Sequence, residues 1–181
     1  MTIEEILKFL QEEIHTVVIA SLDEDHIPIT CAIDLMLVEN HKIYFLMARG
    51  KALYQRLMKQ KEISLTGIKG EDTLTCIAVT IQGKVRNIGH EKLINIFKMN
   101  PYMQEIYPQE NAREVLEVFE IYEYQGELFD LSQKPIYRKT FAYHRKEKNN
   151  NYDIIQQCNG CLKCYEIYPV HAIIEKRDCH E

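Results

Sequence analysis

The sequence predicts a mainly β or α+β fold built on a small antiparallel barrel of about six strands. Short runs rich in β-branched and aromatic residues recur along the chain, and polar breakers separate them. Helical spacing of apolar residues is confined to short segments between these runs. Strands that follow each other in sequence usually pair, so an antiparallel sheet is expected. The 181 residues allow one ordinary domain with a small appendage.

Composition and charge narrow the class of protein. The hydrophobic share of 46% and the charged share of 27% are typical of a soluble globular chain. A net charge of −5 gives no general attraction to nucleic acid or to anionic lipid. No apolar run approaches the ~18 residues of a spanning helix, and the acidic, amphipathic N-terminus does not resemble a secretion signal. We therefore expect a cytoplasmic protein that binds neither nucleic acid nor membrane.

The first elements are a helix and three strands. Thr2 and Glu5 form a capping-box pair, and the apolar residues that follow recur at helical spacing, which predicts an amphipathic helix of about three turns. From His15 the pattern changes to the runs TVVIAS, ITCAIDLMLV and IYFLMA, separated by polar breakers. Three antiparallel strands are expected here.

The next segments alternate between helix and strand. Leu53 and Leu57 indicate a short helix after RGK, and EISLTGI and TLTCIAVTIQGKVRNI indicate two strands. Helical spacing returns around Pro101 and after Asn111, a plausible N-cap for AREVLEVF. VFEIYEY and LFDL indicate a strand pair joined at Gly126. A solvated helix face is expected to carry Arg113, Glu114 and Glu117.

The chain divides into a barrel domain over residues 1–143, a linker over 144–151 and a cysteine-rich tail over 152–181. The linker lacks large apolar residues and contains three consecutive asparagines. In the tail, Cys158, Cys161 and Cys164 have the C-x2-C-x2-C spacing of a bacterial ferredoxin half-site. The fourth position is Tyr168, and Cys179 is the remaining cysteine of the tail.

Three chemistries are open to this tail. Closely spaced thiolates can hold an iron–sulfur cluster, either 4Fe–4S closed by Cys179 or 3Fe–4S, and such a cluster can be lost in air. Zinc is the second, with His171, Cys179 or His180 completing a tetrahedral site on the three clustered thiolates. In the third, the tail binds nothing.

Arg49 and Lys51 lie where a predicted strand passes into a predicted helix. The first turn of a helix presents unpaired N–H groups and a partial positive charge, so two cations beside it can hold a phosphate. The alternative is two solvated charges in a turn.

The order of elements resembles the pyridoxamine 5′-phosphate oxidase-like, FMN-binding split barrels. The runs TVVIASLDEDHIPIT, IYFLMARGKALYQRL, EISLTGI and IAVTIQGKV carry the resemblance, which covers roughly residues 1–135. Within the family, the chain is most similar to the nitroimidazole-resistance-related branch with a ferredoxin-like C-terminal 4Fe–4S segment. The resemblance implies a six-stranded antiparallel split β-barrel of Greek-key type with flanking helices.

The resemblance also implies a homodimer with FMN in the groove between the subunits. Arg49 and Lys51 would then hold the phosphate, and Gln82 would reach the flavin from the partner strand. Met47 stands where many relatives have a hydroxyl residue, so one cofactor hydrogen bond would be lost. The remaining implied contacts are Thr30, Cys31, Ala32 and Ile33 along the flavin, and Met47 and Ala48 at the ribityl chain.

The implied function is that of an FMN-dependent oxidoreductase. Electrons would pass between an unidentified donor, the iron–sulfur site, FMN and a small-molecule acceptor. A true pyridoxamine phosphate oxidase is not expected, because its Trp-bearing terminal segment is absent from a chain without Trp. No acid or base in the sequence identifies a catalytic residue. The alternatives are a non-catalytic flavin-binding or redox-sensing protein, a zinc-stabilised interaction module with an empty barrel, or a barrel that binds haem or deazaflavin.

Overall fold

A computed structural model of the chain describes residues 1–134 and 136–146, together with position 163. The strands in this part are β1 Thr16–Leu22, β2 Pro28–Asp34, β3 Leu37–Glu39, β4 Lys42–Ala48, β5 Glu62–Lys69, β6 Ile77–Asn87, β7 Leu116–Asp130 and β8 Tyr137–Tyr143. The α-helices are α1 Ile3–Lys8, α2 Ala52–Lys59, α3 Leu93–Met99 and α4 Tyr102–Ile106. A π-helical segment, Phe9–Ile14, extends α1, and a 3₁₀ helix, Glu110–Val115, precedes β7.

The strands form one antiparallel sheet that closes on itself. Its order is β2-β1-β5-β6-β7-β4-β3, with β8 added beside β7. The two ends of this path, β2 and β3, follow each other in the chain and are separated by Leu35 and Met36 alone. The Met36 amide donates to the Tyr44 carbonyl oxygen on β4 at 2.8 Å. Because so short a connection joins the two edges, the sheet has to curve into a barrel.

Alternate side chains of the strands point into the barrel and form its hydrophobic core. On β1, Val17 and Ile19 are buried, whereas Val18 between them is 51% exposed. The α1 helix adds Ile6 and Leu7, which are fully buried in the same core. The predicted capping box is confirmed, because the Glu5 amide donates to Thr2 Oγ1 at 3.2 Å and the Thr2 amide donates to Glu5 Oε2. Each fully buried large apolar side chain stabilises the fold by roughly 1.5–3 kcal/mol.

A second core lies on the outer face of the sheet. Helices α3 and α4 pack there against β4 and β7, which confirms the helices expected around Pro101. The buried side chains of this core are Met36, Leu37, Tyr44, Ile96, Phe97, Met103, Leu116 and Val118. The helices therefore cover one outer face of the barrel and leave the outer face of β1, β2, β5 and β6 uncovered.

The predicted count of six strands is too low, because the described residues contain eight. The single run ITCAIDLMLV is divided into β2 and β3, since its first half pairs with β1 and its second half with β4. Strand β8 was not predicted at all, and it pairs along the second half of β7.

The strand pair predicted at Gly126 is wrong. Strand β7 runs without a break from Leu116 to Asp130, and Gly126 lies inside it opposite Phe141 of β8. A Cβ atom at Gly126 would lie 2.5 Å from Phe141 Cζ and 2.6 Å from the Thr80 carbonyl oxygen. The glycine is therefore needed for the close approach of a neighbouring aromatic ring and not for a turn.

The helix predicted after Asn111 is shorter than expected. The 3₁₀ helix ends at Val115, and the following residues enter β7, where Leu116 pairs with Ala48 of β4. Glu117 therefore lies on a strand, and the prediction of a solvated helix face is wrong for this residue. Pairing with β4 overrides the local helical spacing.

The tail and most of the linker lie outside the described residues. Of the linker 144–151 the structure describes residues 144–146, and of the tail 152–181 it describes position 163. The cluster ligands predicted at Cys158, Cys161, Cys164 and Cys179 fall outside this part of the chain. None of the helices in the described part is long and apolar enough to cross a membrane.

Candidate functional site

The junction between β4 and α2 has the geometry that the sequence predicts. Strand β4 ends at Ala48 and α2 begins at Ala52, so Arg49, Gly50 and Lys51 form the connection. Lys51 is the N-cap, with extended backbone angles and no hydrogen bond from its side chain to the helix end. The side chains of Arg49 and Lys51 are both exposed. The free N–H groups at this helix end and the two cations are therefore available to one anion.

Arg49 is held by contacts to the start of β7. Its Nη2 group donates to the Glu114 carbonyl oxygen at 2.7 Å, and its Nε atom lies 3.7 Å from Glu117 Oε1. The Gln55 side chain on α2 donates to the Arg49 carbonyl oxygen at 3.1 Å. The Arg49 side chain is 53% exposed while bound in this way, so it remains accessible to a ligand.

Glu117 connects three side chains next to this junction: Arg49, Tyr54 and Asn87. Its Oε2 atom accepts hydrogen bonds from Asn87 Nδ2 and from the Tyr54 hydroxyl, the latter at 2.7 Å. These two hydrogen bonds, together with the charge of Arg49, lower the pKa of Glu117. The carboxylate therefore stays charged at neutral pH and holds Arg49 beside the helix end. The sequence analysis missed this network because its members are distant in the chain.

The name β2–β4 opening is used for the seam at which strands β2 and β4 approach each other without pairing. Cα atoms of the two strands come within 8 Å of each other, although they share no ladder. Thr30 and Ala32 are exposed on β2, and Ile33 is buried. The structure thus brings the predicted β2 segment close to β4, the strand that carries Met47 and Ala48.

Cys31 lies on β2 between the exposed positions. Burial raises the pKa of its thiol, although the nearby charge of Arg56 acts in the opposite direction. Arg56 on α2 also donates from Nε to Ser21 Oγ at 2.9 Å. The thiol is therefore protonated at neutral pH, and it is a packing residue more than a nucleophile.

Gln82 does not join this group within one protomer. It lies on β6, where it is paired with Ser64 of β5 and accepts a hydrogen bond from Gln125 Nε2 at 3.2 Å. It lines an open groove of about 490 Å³ on the outer face of β1, β5 and β6. A second subunit would have to bring Gln82 to the β2–β4 opening, as the sequence analysis expects.

No group of three or more His, Cys, Asp or Glu side chains in the described part of the chain is placed to hold a metal ion. This finding does not bear on the tail cysteines. His15, the nearest histidine to a carboxylate, instead forms hydrogen bonds with Gln11 and Tyr102.

The fold is shared with known split barrels. No protein-family model matches the chain, and no curated protein matches it either. A NimC/NimA family protein from Clostridium acetobutylicum aligns with a TM-score of 0.64 and 15% identity, covering 77% of this chain and 91% of that chain. A pyridoxamine 5′-phosphate oxidase-related, FMN binding protein from Nostoc punctiforme aligns with a TM-score of 0.55 and 9% identity, covering 76% and 93%.

A heme binding protein from Mycobacterium smegmatis also matches, with a TM-score of 0.61 and 10% identity, covering 78% of this chain and 58% of that chain. At such identities the likeness shows the split-barrel fold, which proteins named for binding FMN and for binding heme share. It confirms the split-barrel architecture that the resemblance implied, apart from the number of strands, and the ligand has to be argued from the residues.

Proposed function

We propose that this chain is an FMN-dependent oxidoreductase that passes electrons between an iron–sulfur site, FMN and a small acceptor. The observation that carries the proposal is the pair Arg49 and Lys51, which lies directly after β4 and at the N-terminal end of α2. The cytoplasm is the expected compartment. When bound, the flavin supplies the transfer of hydride or electrons, and the protein supplies position and electrostatics.

The residues present fit a phosphate ester. Arg49 has a partly open guanidinium that Glu117 and Glu114 already orient, so little side-chain freedom is lost on binding. Lys51 has no ion pair within the described residues and can turn toward the same anion. Helix α2 adds its unpaired N–H groups. Along β2, the exposed Thr30 and Ala32 leave room for a flat ring system against the backbone.

A second copy of the chain is proposed to complete the site. The uncovered outer face of β1, β2, β5 and β6 exposes the apolar side chains of Val18 on β1 and Ile68 on β5. Covering such a face with its own copy would bury it and bring Gln82 of the partner subunit to the opening.

The electron path is proposed to continue into the tail. Its support is the spacing of Cys158, Cys161 and Cys164, which suits an iron–sulfur cluster, with Cys179 as the fourth ligand. An absorption spectrum of protein purified without oxygen, with iron, sulfide and zinc analysis, separates the candidates. Flavin and iron support the oxidoreductase, a Soret band indicates haem, and zinc without flavin indicates an interaction module.

The phosphate assignment is tested by comparing FMN with riboflavin, which lacks the phosphate. We expect Arg49→Ala with Lys51→Ala to weaken FMN binding at least 100-fold, because each charge-assisted contact contributes roughly 1.5–3 kcal/mol. Riboflavin binding should change little. Lys59→Ala is the control, since Lys59 lies at the other end of α2 and pairs with Glu24. Equal losses for the two ligands in the double variant would contradict the assignment.

A further inference from the structure

A groove lies on the outer face of β1, β5 and β6, and Gln82 is the one predicted cofactor contact in its lining. Its volume of about 490 Å³ is in the range of small-molecule sites, about 300–1,000 Å³. Ala20, Leu22 and Pro28 give it an apolar floor, and Ser64 and Gln82 give it polar groups. A shape of this kind suits a small molecule with an apolar body and one polar end.

Two cations in the groove lining have no carboxylate partner among the described residues. Lys61, in the connection from α2 to β5, and Arg145, after β8, both line it. Neither makes an ion pair with another described residue, whereas Lys42, Lys84 and Arg86 each do. In a chain of net charge −5, two unpaired cations at one groove are a local exception.

The charge balance favours a monoanion. Glu62 also lines the groove, so the lining carries two positive charges and one negative charge. Glu62 lies opposite Lys84 in the β5–β6 ladder, and its charge contributes to the raised pKa of Lys84. A net charge of about one matches a carboxylate better than a doubly charged phosphate. Lys61 and Arg145 can both donate to the two oxygens of such a group.

We propose that this groove binds an organic acid, with its carboxylate on Lys61 and Arg145 and its apolar body on Ala20, Leu22 and Pro28. The position of this site next to the flavin rests on the proposed function. Gln82 lines this groove, so the partner contact that brings Gln82 to the flavin also turns the groove toward it.

The experiment measures benzoate binding by NMR or calorimetry, with neutral benzamide as the matched ligand and phenyl phosphate as the dianion. We expect benzoate to bind at least 10-fold more tightly than benzamide. Lys61→Gln and Arg145→Gln should each weaken benzoate about 5- to 10-fold and leave benzamide unchanged. Lys59→Gln is the control, because it removes the same charge two residues from Lys61 but outside the groove lining.

Three outcomes would overturn the proposal. Equal binding of benzoate and benzamide would remove the role of charge. Phenyl phosphate binding more than 10-fold more tightly than benzoate would assign the groove to a phosphate. A loss of FMN affinity in Lys61→Gln and Arg145→Gln as large as the loss of benzoate affinity would assign the two cations to the cofactor.

The proposed function fails independently of this test. Arg49→Ala with Lys51→Ala should lose FMN and still bind benzoate. If FMN does not bind the wild-type protein while benzoate binds through Lys61 and Arg145, the flavin assignment is wrong and the carboxylate site remains.

Discussion

At the scale of single residues, Glu120 is a buried carboxylate that forms ion pairs with two cations. It is 3% exposed on β7, and it pairs with Lys42 at 2.8 Å and with Arg86. The Tyr44 hydroxyl donates to it at 3.2 Å. Burial alone would raise the pKa of Glu120, but the hydrogen bonds and charges of Lys42 and Arg86 outweigh this effect and lower it.

Replacing Glu120 by Gln should therefore destabilise the protein by about 2 kcal/mol at pH 7. The expected loss is below the ~3–5 kcal/mol of a fully buried pair because Lys42 and Arg86 are partly exposed. A lowered carboxyl pKa stabilises the fold above the unfolded value near 4.5, and this contribution is lost as the pH falls through the folded value. The difference between wild type and variant should narrow below pH 4.5.

Urea unfolding at pH 7 and pH 4 measures both effects. Glu114→Gln is the control, because the Glu114 side chain is exposed and its contact to Arg49 is made by the carbonyl oxygen. A gap between wild type and Glu120→Gln that is as wide at pH 4 as at pH 7 would rule out the ionised carboxylate as the cause.

The candidate site was predictable residue by residue where the signal is local. Arg49 and Lys51 follow a strand and precede a helix, and both positions are confirmed as the β4–α2 junction. Glu117 and Asn87 were missed because only the pairing of β6, β7 and β4 brings them together. Arg145 was missed for the same reason, since no periodicity connects it with Lys61.

At the scale of elements, strand β7 needs a glycine at position 126 because β6 and β8 pass close to it there. Gly126→Ala should destabilise the protein by about 2 kcal/mol, because the new Cβ would meet both the Phe141 ring and the Thr80 carbonyl oxygen. Thermal or urea unfolding measures the loss. Gly50→Ala is the control, since nothing lies within 4 Å of its Cβ position. Equal stability of the two variants would mean that β7 and β8 adjust without cost.

Elements were predictable where the pattern and the final contacts agree. The capping box of α1 and the buried Leu53 and Leu57 of α2 are local features, and both are confirmed. The glycine of β7 was assigned to a turn because a sequence cannot show that a neighbouring strand passes close by. The division of β2 from β3 was missed because both halves are apolar and only their different partners separate them.

At the scale of the whole molecule, the uncovered sheet face predicts a dimer. Val18 is 51% exposed at the centre of β1, and Val18→Glu would place a charge in the proposed interface. We expect wild type to sediment at twice its chain mass of 21.4 kDa and the variant to sediment as a monomer with weaker FMN binding. Ile94→Glu is the control, because Ile94 is 74% exposed on α3, away from this face. A dimeric Val18→Glu variant would place the interface elsewhere.

The tail gives a prediction that is separate from the barrel. Cys161→Ala removes the central thiolate of the proposed cluster, so iron and sulfide should be lost together while FMN remains bound. Cys76→Ala, at the residue before β6, should keep all three. Iron and sulfide analysis of anaerobically reconstituted protein makes the comparison. Uptake of zinc by the wild type without iron or sulfide would assign the tail to a different metal.

The order of strands also determines when the protein can finish folding. The β1–β2 and β3–β4 hairpins are synthesised before β5, β6 and β7, yet they lie at opposite ends of the sheet path. Strands β5, β6 and β7 have to be inserted between them, and the last of these ends at Asp130. The first 48 residues therefore cannot complete their pairings until residue 121 has left the ribosome, because β4 pairs with residues 116–121 of β7. Such non-local pairing is typical of proteins that fold in milliseconds to seconds, and it makes synthesis and barrel closure successive events.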